Sequence, residues 1–248
     1  YSSILSHELC YAVSNHPDRG FRYGGTLVSI ADIGYRGNTK PLNYTGNTHG
    51  GMVEINGQWY IFYHRQTNRV KCARQGCAEK LTILPDGSIP QVEVTSCGLN
   101  DGPLPGKGRY EARIACNLGA KAEMVKSDFA AKQDRKKALP YFTQSGEDRE
   151  ENGDQFVANL KDGSWAGFKY YIFDGTESCI TVTMRGTAVG TVKVYTNRNL
   201  PPVASILVHP SEEWMESAGK LSVPAGTAPL YFVYEGAGVL DFKDFRIE

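Results

Sequence analysis

Between Asn43 and Asn68 the chain reads NYTGNTHGGMVEINGQWYIFYHRQTN, and three of its side chains have the chemistry of a site. His49 stands against Gly50 and Gly51, which let backbone and ligand approach closely. An imidazole there can hold a metal ion or a water, or else sit in a core bonded to backbone. Asn47 adds an amide beside it. Arg65, just past an aromatic run, carries a planar donor fork that suits an oxygen-rich ligand or a structural ion pair. Two further candidates are Trp165 in DGSWAGF and Trp214 in SEEWMES, both in loop-like segments. An indole there is either a platform for the C–H face of a sugar or edge-of-core packing.

Cleavage of a glycosidic bond also needs two carboxyl groups in defined roles. The N-terminal part offers Glu8, Asp32, Glu54, Glu79 and Glu93, none inside a motif that singles it out. Glu54, Glu79 and Glu93 sit in alternating patterns and can simply face solvent. The sequence has no G-x-S-x-G, no P-loop, no G-x-G-x-x-G after a strand and no H-E-x-x-H.

The elements that must position these residues read as strands. SHELCYAVS and GGTLVSI are bounded by turn formers such as NHPDRG. VEI-NG-QWYIFYH is a hairpin whose Asn56-Gly57 loop favours a type I′ turn. Its second strand has aromatics on both faces, Trp59 and Tyr63 against Tyr60 and Phe62, and is expected to be covered on both sides. The PDGS turn joins two more alternating runs. Texture changes around CGLNDGPLPGKGRY, which places a domain boundary at about residue 106. Beyond it come YEARIACN, the basic run KQDRKK (read as a solvated loop) and a series of short strands. These include FVANL, AGFKYYIF, SCITVTMRG, GTVKVYTN, SILVH, GKLSVP, PLYFVYEG and VLDFKDFRIE, the pattern of a β-sandwich.

The totals narrow the class. Among 248 residues, 27 basic and 27 acidic side chains give a formal net charge of zero, which argues against a nucleic-acid partner. No apolar run reaches membrane-spanning length, so no membrane partner is expected; no signal peptide is visible, and the location is not readable from this N-terminus. The first residue is Tyr1 rather than Met, as in a processed, trimmed or partial chain. Six cysteines are too dispersed for a zinc cluster and read as free thiols or one disulfide.

Three stretches together carry a resemblance: SHELCYAVSNHPDRGFRYGGTLVS, the Asn43–Asn68 segment, and RQGCAEKLTILPDGSIPQVEVTSCGLNDGPL. They closely resemble the C-terminal blades of a glycoside hydrolase family 43 propeller of the arabinoxylan arabinofuranohydrolase and xylosidase type. IACN, GFKYYIFDG, ITVTMRG and LYFVYEG resemble the carbohydrate-binding module family 6 sandwich that follows such propellers. The resemblance implies an all-β chain. Residues 1–106 would be the last blades of a five-bladed β-propeller, and 107–248 a β-sandwich of jelly-roll type.

It also implies roles. The family's catalytic base Asp, pKa-tuning Asp and general acid Glu would lie upstream of Tyr1. His49 would match the propeller-axis histidine that holds calcium, another ion or water, with Asn47 and Arg65 at or beside substrate-contacting positions. In the sandwich, Trp214, with Trp165 and Asp241, would mark the sugar site. Arg113 and Lys243 replace usual calcium ligands and cannot bind that ion, so none is expected there. The implied activity is inverting arabinofuranosidase or xylosidase hydrolysis of arabinoxylan, xylan or their oligosaccharides, silent without the upstream blades. The alternatives are a non-catalytic carbohydrate-binding protein and a structural remnant with no ligand. The expected partners are the polysaccharide, an upstream propeller fragment, or a second copy docked on an exposed Tyr60/Phe62 face. The expected location is secreted, periplasmic or cell-surface.

Overall fold

The computed structural model describes residues 7–44, 46, 48–69, 72–121, 138–146 and 154–248. Asn47 and the KQDRKK run (132–137) lie outside the described residues. The chain divides into two units, with the break after Val94.

In the first unit, β1 (Glu8–Val13) pairs antiparallel with β2 (Arg22–Ser29). A separate meander joins β3 (Gly50–Ile55), β4 (Gln58–Gln66) and β5 (Arg74–Leu81). The β3–β4 turn is the one expected. Asn56 and Gly57 both take positive φ, 52° and 82°, the requirement of a type I′ loop. Neither sheet closes on itself. The PDGS turn also forms: the Ser88 N–H donates to Asp86 Oδ1 at 2.9 Å and the Leu84 N–H to Ser88 O at 2.9 Å. The run after it is not the second strand that its alternation suggests. Pro90 supplies no ladder donor, and Val92 makes a single parallel bridge to Val28.

The second unit is a sandwich of two six-stranded sheets. Its strands are β6 (Leu104–Pro105), β7 (Gly108–Glu111), β8 (Asn117–Gly119), β9 (Tyr141–Gln144), β10 (Gln155–Leu160) and β11 (Trp165–Phe173). They continue with β12 (Cys179–Gly186), β13 (Val189–Tyr195), β14 (Ala204–Val208), β15 (Ser211–Lys220), β16 (Gly226–Ala237) and β17 (Leu240–Ile247). One sheet runs β15-β12-β17-β10-β9 with β7 on β17; the other runs β14-β13-β16-β11-β6 with β8 on β11. Alternation in β16, and in β11 and β17 on either side of one register shift each, sends side chains into the space between the sheets. There Phe168 and Phe232 of one sheet meet Phe242 and Phe245 of the other. The ring centroids of Phe245 lie 5.0 Å from Phe168 and 4.7 Å from Phe232.

Three expectations change. The boundary falls at Val94 rather than about residue 106, because the segment between them is tied to the sandwich. The Ser96 N–H donates to Lys169 O at 2.6 Å, and Leu104–Pro105 pairs parallel with Tyr171 and Ile172. Trp165 and Trp214 are not in loops: they stand in β11 and β15. GKLSVP is mostly outside strands, since β15 ends at Lys220. All six cysteines are free thiols, Cys10 and Cys116 buried and Cys72 exposed.

Phe245→Ala should cost about 3–5 kcal/mol, the range for deleting a fully buried aromatic ring. Urea unfolding followed by tryptophan fluorescence checks this. A loss below about 1 kcal/mol would show that the two sheets are not held by this ring cluster.

Candidate functional site

Successive residues of β4 face opposite sides of its sheet. Ile61, Tyr63 and Arg65 are buried on one side, while Tyr60, Phe62 and His64 are half-buried on the other. The aromatic strand is therefore fully covered on one side only. Across it on the open side, Val53 is 43% and Ile55 41% exposed.

His49 lies next to the open side. Its Nδ1 is 3.3 Å from His64 Nε2, and the two rings are tilted at 41°. One nitrogen of this pair must donate and the other accept, so the contact fixes complementary tautomers. His64 was not singled out by the sequence, although the hairpin register, which pairs Gly50 with Tyr63, carries His49 opposite His64 one step further on. The two glycines divide their work. A Cβ on Gly50 would sit 2.1 Å from Phe62 O and 2.7 Å from Leu9, so this residue is needed for close strand packing. Gly51 has nothing within 4 Å and leaves open space on its side.

Arg65 points the other way, so the structure does not bring it to His49. Its Nε–H donates to Gln75 Oε1 at 2.9 Å, beside the buried Tyr63 and Glu79 and the half-buried Cys77. The Tyr63 hydroxyl donates to Glu79 at 3.3 Å. Burial, and then the Glu79 charge, push the Tyr63 phenol well above its usual value. Burial also raises the Cys77 thiol, with Arg65 working against it. A buried arginine in such a set orders the interior of the unit; as placed, it offers no open donor fork to a sugar.

Of the carboxylates considered for acid–base work, Asp32 and Glu8 are engaged elsewhere. Asp32 is buried and accepts the Val94 N–H at 2.8 Å. Glu8 accepts the Thr26 hydroxyl at 3.5 Å, and Glu54 is exposed near the hairpin end. Among the described residues no three His, Cys, Asp or Glu side chains gather to hold a metal ion. Two imidazoles without carboxylate or carbonyl oxygens do not make a calcium site.

In the sandwich, Trp214 does not present a bare ring. The Arg185 guanidinium lies over it at 4.3 Å and Lys243 Nζ at 5.2 Å, while Phe156 meets it edge-on at 5.2 Å. Asp241 is 3.5 Å from Arg185, accepts the Asn159 N–H at 3.2 Å, and is pushed above the usual carboxylate range by burial. Lys243 pairs with Asp154 at 2.6 Å. Hydrogen bonds from Lys243, Ser145 and Trp214 outweigh partial burial and hold the Asp154 carboxyl below its usual range. Near the start of the unit, Glu111 and Arg113 bond to each other. The residues read as a sugar cleft thus form a closed ion-pair and cation–π network. Trp165 is only 7% exposed and cannot serve as an open platform.

The Asp154 carboxyl should titrate at higher pH in Lys243→Met than in the parent chain, as read by carboxyl carbon NMR. Because its folded pKa is depressed, the stability it contributes is present above the ordinary carboxylate range near pH 4. That contribution is lost as pH falls through the depressed value. An unchanged titration would mean that Lys243 does not set it.

No family model matches the sequence. A protein named Xylosidase/arabinosidase from Thermoclostridium stercorarium is 46% identical over 250 residues, covering 100% of this chain and 52% of the relative. A Beta-xylosidase from Xylanibacter ruminicola is 34% identical over 64 residues, 26% of this chain and 16% of its own length. The chain therefore spans about half the length of the first relative and matches a smaller share of the second. Among solved structures, a glycoside hydrolase family 43 arabinoxylan arabinofuranohydrolase from Bacillus subtilis, in complex with cellotetraose, aligns with 97% of this chain and 47% of its own at TM-score 0.53. Its 20% identity makes this a likeness of fold. Sequence likeness along its whole length makes this chain a homologue of the C-terminal part of a xylosidase/arabinosidase.

Proposed function

We propose that this chain is the C-terminal portion of an inverting glycoside hydrolase that removes arabinofuranosyl or xylosyl units from arabinoxylan-like glycans. The observation that carries this reading is the 46% identity across the whole chain to a protein named as a xylosidase/arabinosidase. In it, residues of the first unit are the last blades of a propeller whose catalytic carboxyls come from earlier blades. Support comes from the carboxylates themselves. Asp32, Glu8 and Glu79 are each tied to neighbours, and an inverting pair must instead flank the bond with room for a water.

The His49–His64 pair on the open side of the meander then stands where a sugar site could be completed, with Asn47 beside it in sequence. An ion at His49 would draw most of its ligands from outside the described residues, and for calcium those would be oxygens. The half-exposed Tyr60, Phe62, Val53 and Ile55 face is the surface on which an upstream blade or a second copy would dock. The working place of such an enzyme is outside the cytoplasm, where the polymer is.

Sugar release from arabinoxylan and from aryl arabinofuranoside and xyloside substrates tests the reading. The chain alone should release nothing above the blank, and supplying the N-terminal half of the Thermoclostridium stercorarium relative should restore release. Turnover by the chain alone, abolished in Asp32→Asn or Glu8→Gln, would overturn the assignment of the carboxyls. No release in either arrangement would overturn the hydrolase reading.

A further inference from the structure

The outer face of the second sheet of the sandwich holds an open pocket of about 560 Å³ that none of the site residues above explains. It is lined by Thr196, Asn197, Arg198 and Asn199, between β13 and β14, and by Pro229 and Tyr231 of β16. Pro229 and Tyr231 are two apart on one strand and share a face. Trp165 lies on the same side, edge-on to Tyr231 with 5.8 Å between ring centroids.

The rings are given room by glycine. A Cβ on Gly119 would fall 2.1 Å from the Trp165 indole, and one on Gly167 would fall 3.0 Å from Tyr231. Against this floor the Arg198 guanidinium is stacked 4.0 Å from the centre of the Trp165 ring and 5.4 Å from that of Tyr231. The loop that carries it is a fixed turn: the Asn199 N–H donates to Asn197 Oδ1 and the Leu200 N–H to Asn197 O, both at 3.0 Å.

Stacking occupies a face of the guanidinium but leaves its in-plane N–H groups directed outward. Arg198 forms no ion pair among the described residues. Desolvation lowers its pKa and the Tyr231 phenol opposes that, with no carboxylate among the described residues acting on the charge. The stacked arginine also denies Trp165 to a neutral sugar ring. What remains is a positioned cationic fork, two amides, a hydroxyl and an apolar wall. That set matches a ligand with one carboxylate and several hydroxyls.

We infer that this pocket binds a uronic acid residue of a glycan, with Arg198 taking the carboxylate, Asn197, Asn199 and Thr196 the hydroxyls, and Tyr231 and Pro229 the ring. The inference rests on the glycan reading above and narrows it to acid-substituted chains.

The experiment is calorimetric titration of the chain with a xylo-oligosaccharide carrying one glucuronic acid. Its carboxyl-reduced counterpart, in which that sugar is neutral, serves as the control. The acidic form should bind about tenfold or more tightly, with the Trp165 indole N–H signal shifting on titration and affinity falling as salt is raised. Arg198→Gln should erase the preference while leaving the thermal midpoint of the chain nearly unchanged. Arg198→Lys, which keeps charge but loses the fork, should retain only part of it. Equal affinity for the two oligosaccharides, no binding of either, or a preference that survives Arg198→Gln would overturn the inference. None of these outcomes bears on sugar release by the completed enzyme, so the hydrolase reading stands or falls by its own assay.

Discussion

The sandwich depends on one contact, the meeting of Phe168 and Phe232 with Phe242 and Phe245 across the gap between its sheets. Two sheets have no covalent or backbone bond to one another and are held by what their inner faces bury. Phe245 also lies 5.5 Å from Tyr110 and 6.1 Å from Tyr171, so the cluster extends to the short strands at the start of the unit. Every outward position discussed above is set by this inward one. Because Phe232 is turned in, Tyr231 is turned out, and because Phe242 is turned in, Asp241 meets Arg185 at the other surface.

The first unit works by a different constraint, the separation of two chemistries by a single sheet. On the covered side Tyr63 donates to Glu79 and Arg65 to Gln75, away from water. On the open side stand two imidazoles and a row of half-exposed apolar side chains. A single-residue step along β4 moves from one to the other. This is why His64 and Arg65, adjacent in sequence, have unrelated surroundings.

Much of the strand pattern was legible in the sequence, because alternation and turn chemistry are local. The Asn56-Gly57 loop, the VEI and QWYIFYH strands and the alternating β12 and β13 all form as their residue types require. What escaped was decided by partners distant in sequence. SEEWMESAGK has no apolar alternation, and its pairing with β12 makes it a strand. The stretch from Thr95 to Pro105 has no periodicity because single contacts to Lys169, Tyr171 and Ile172 hold it, not a face. At the sites the same limit applies. Residue type suggested Trp165 and Trp214 as platforms, but Arg198 and Arg185, far from their tryptophans in sequence, occupy those ring faces. His49 was found from its glycines, whereas its partner His64 needed the hairpin register.

The polar strand β15 has a bearing on how the molecule behaves in company. It is ten residues long and ends its sheet, the geometry that invites another chain to add a strand and start a fibre. Glu212, Glu213, Glu216 and Lys220 are all exposed along it. Any chain pairing there would have to strip water from these charges, and a copy of the same strand would bring acid toward acid. The composition that hid this strand from a hydrophobic pattern is also a guard against self-assembly at the border of the sheet.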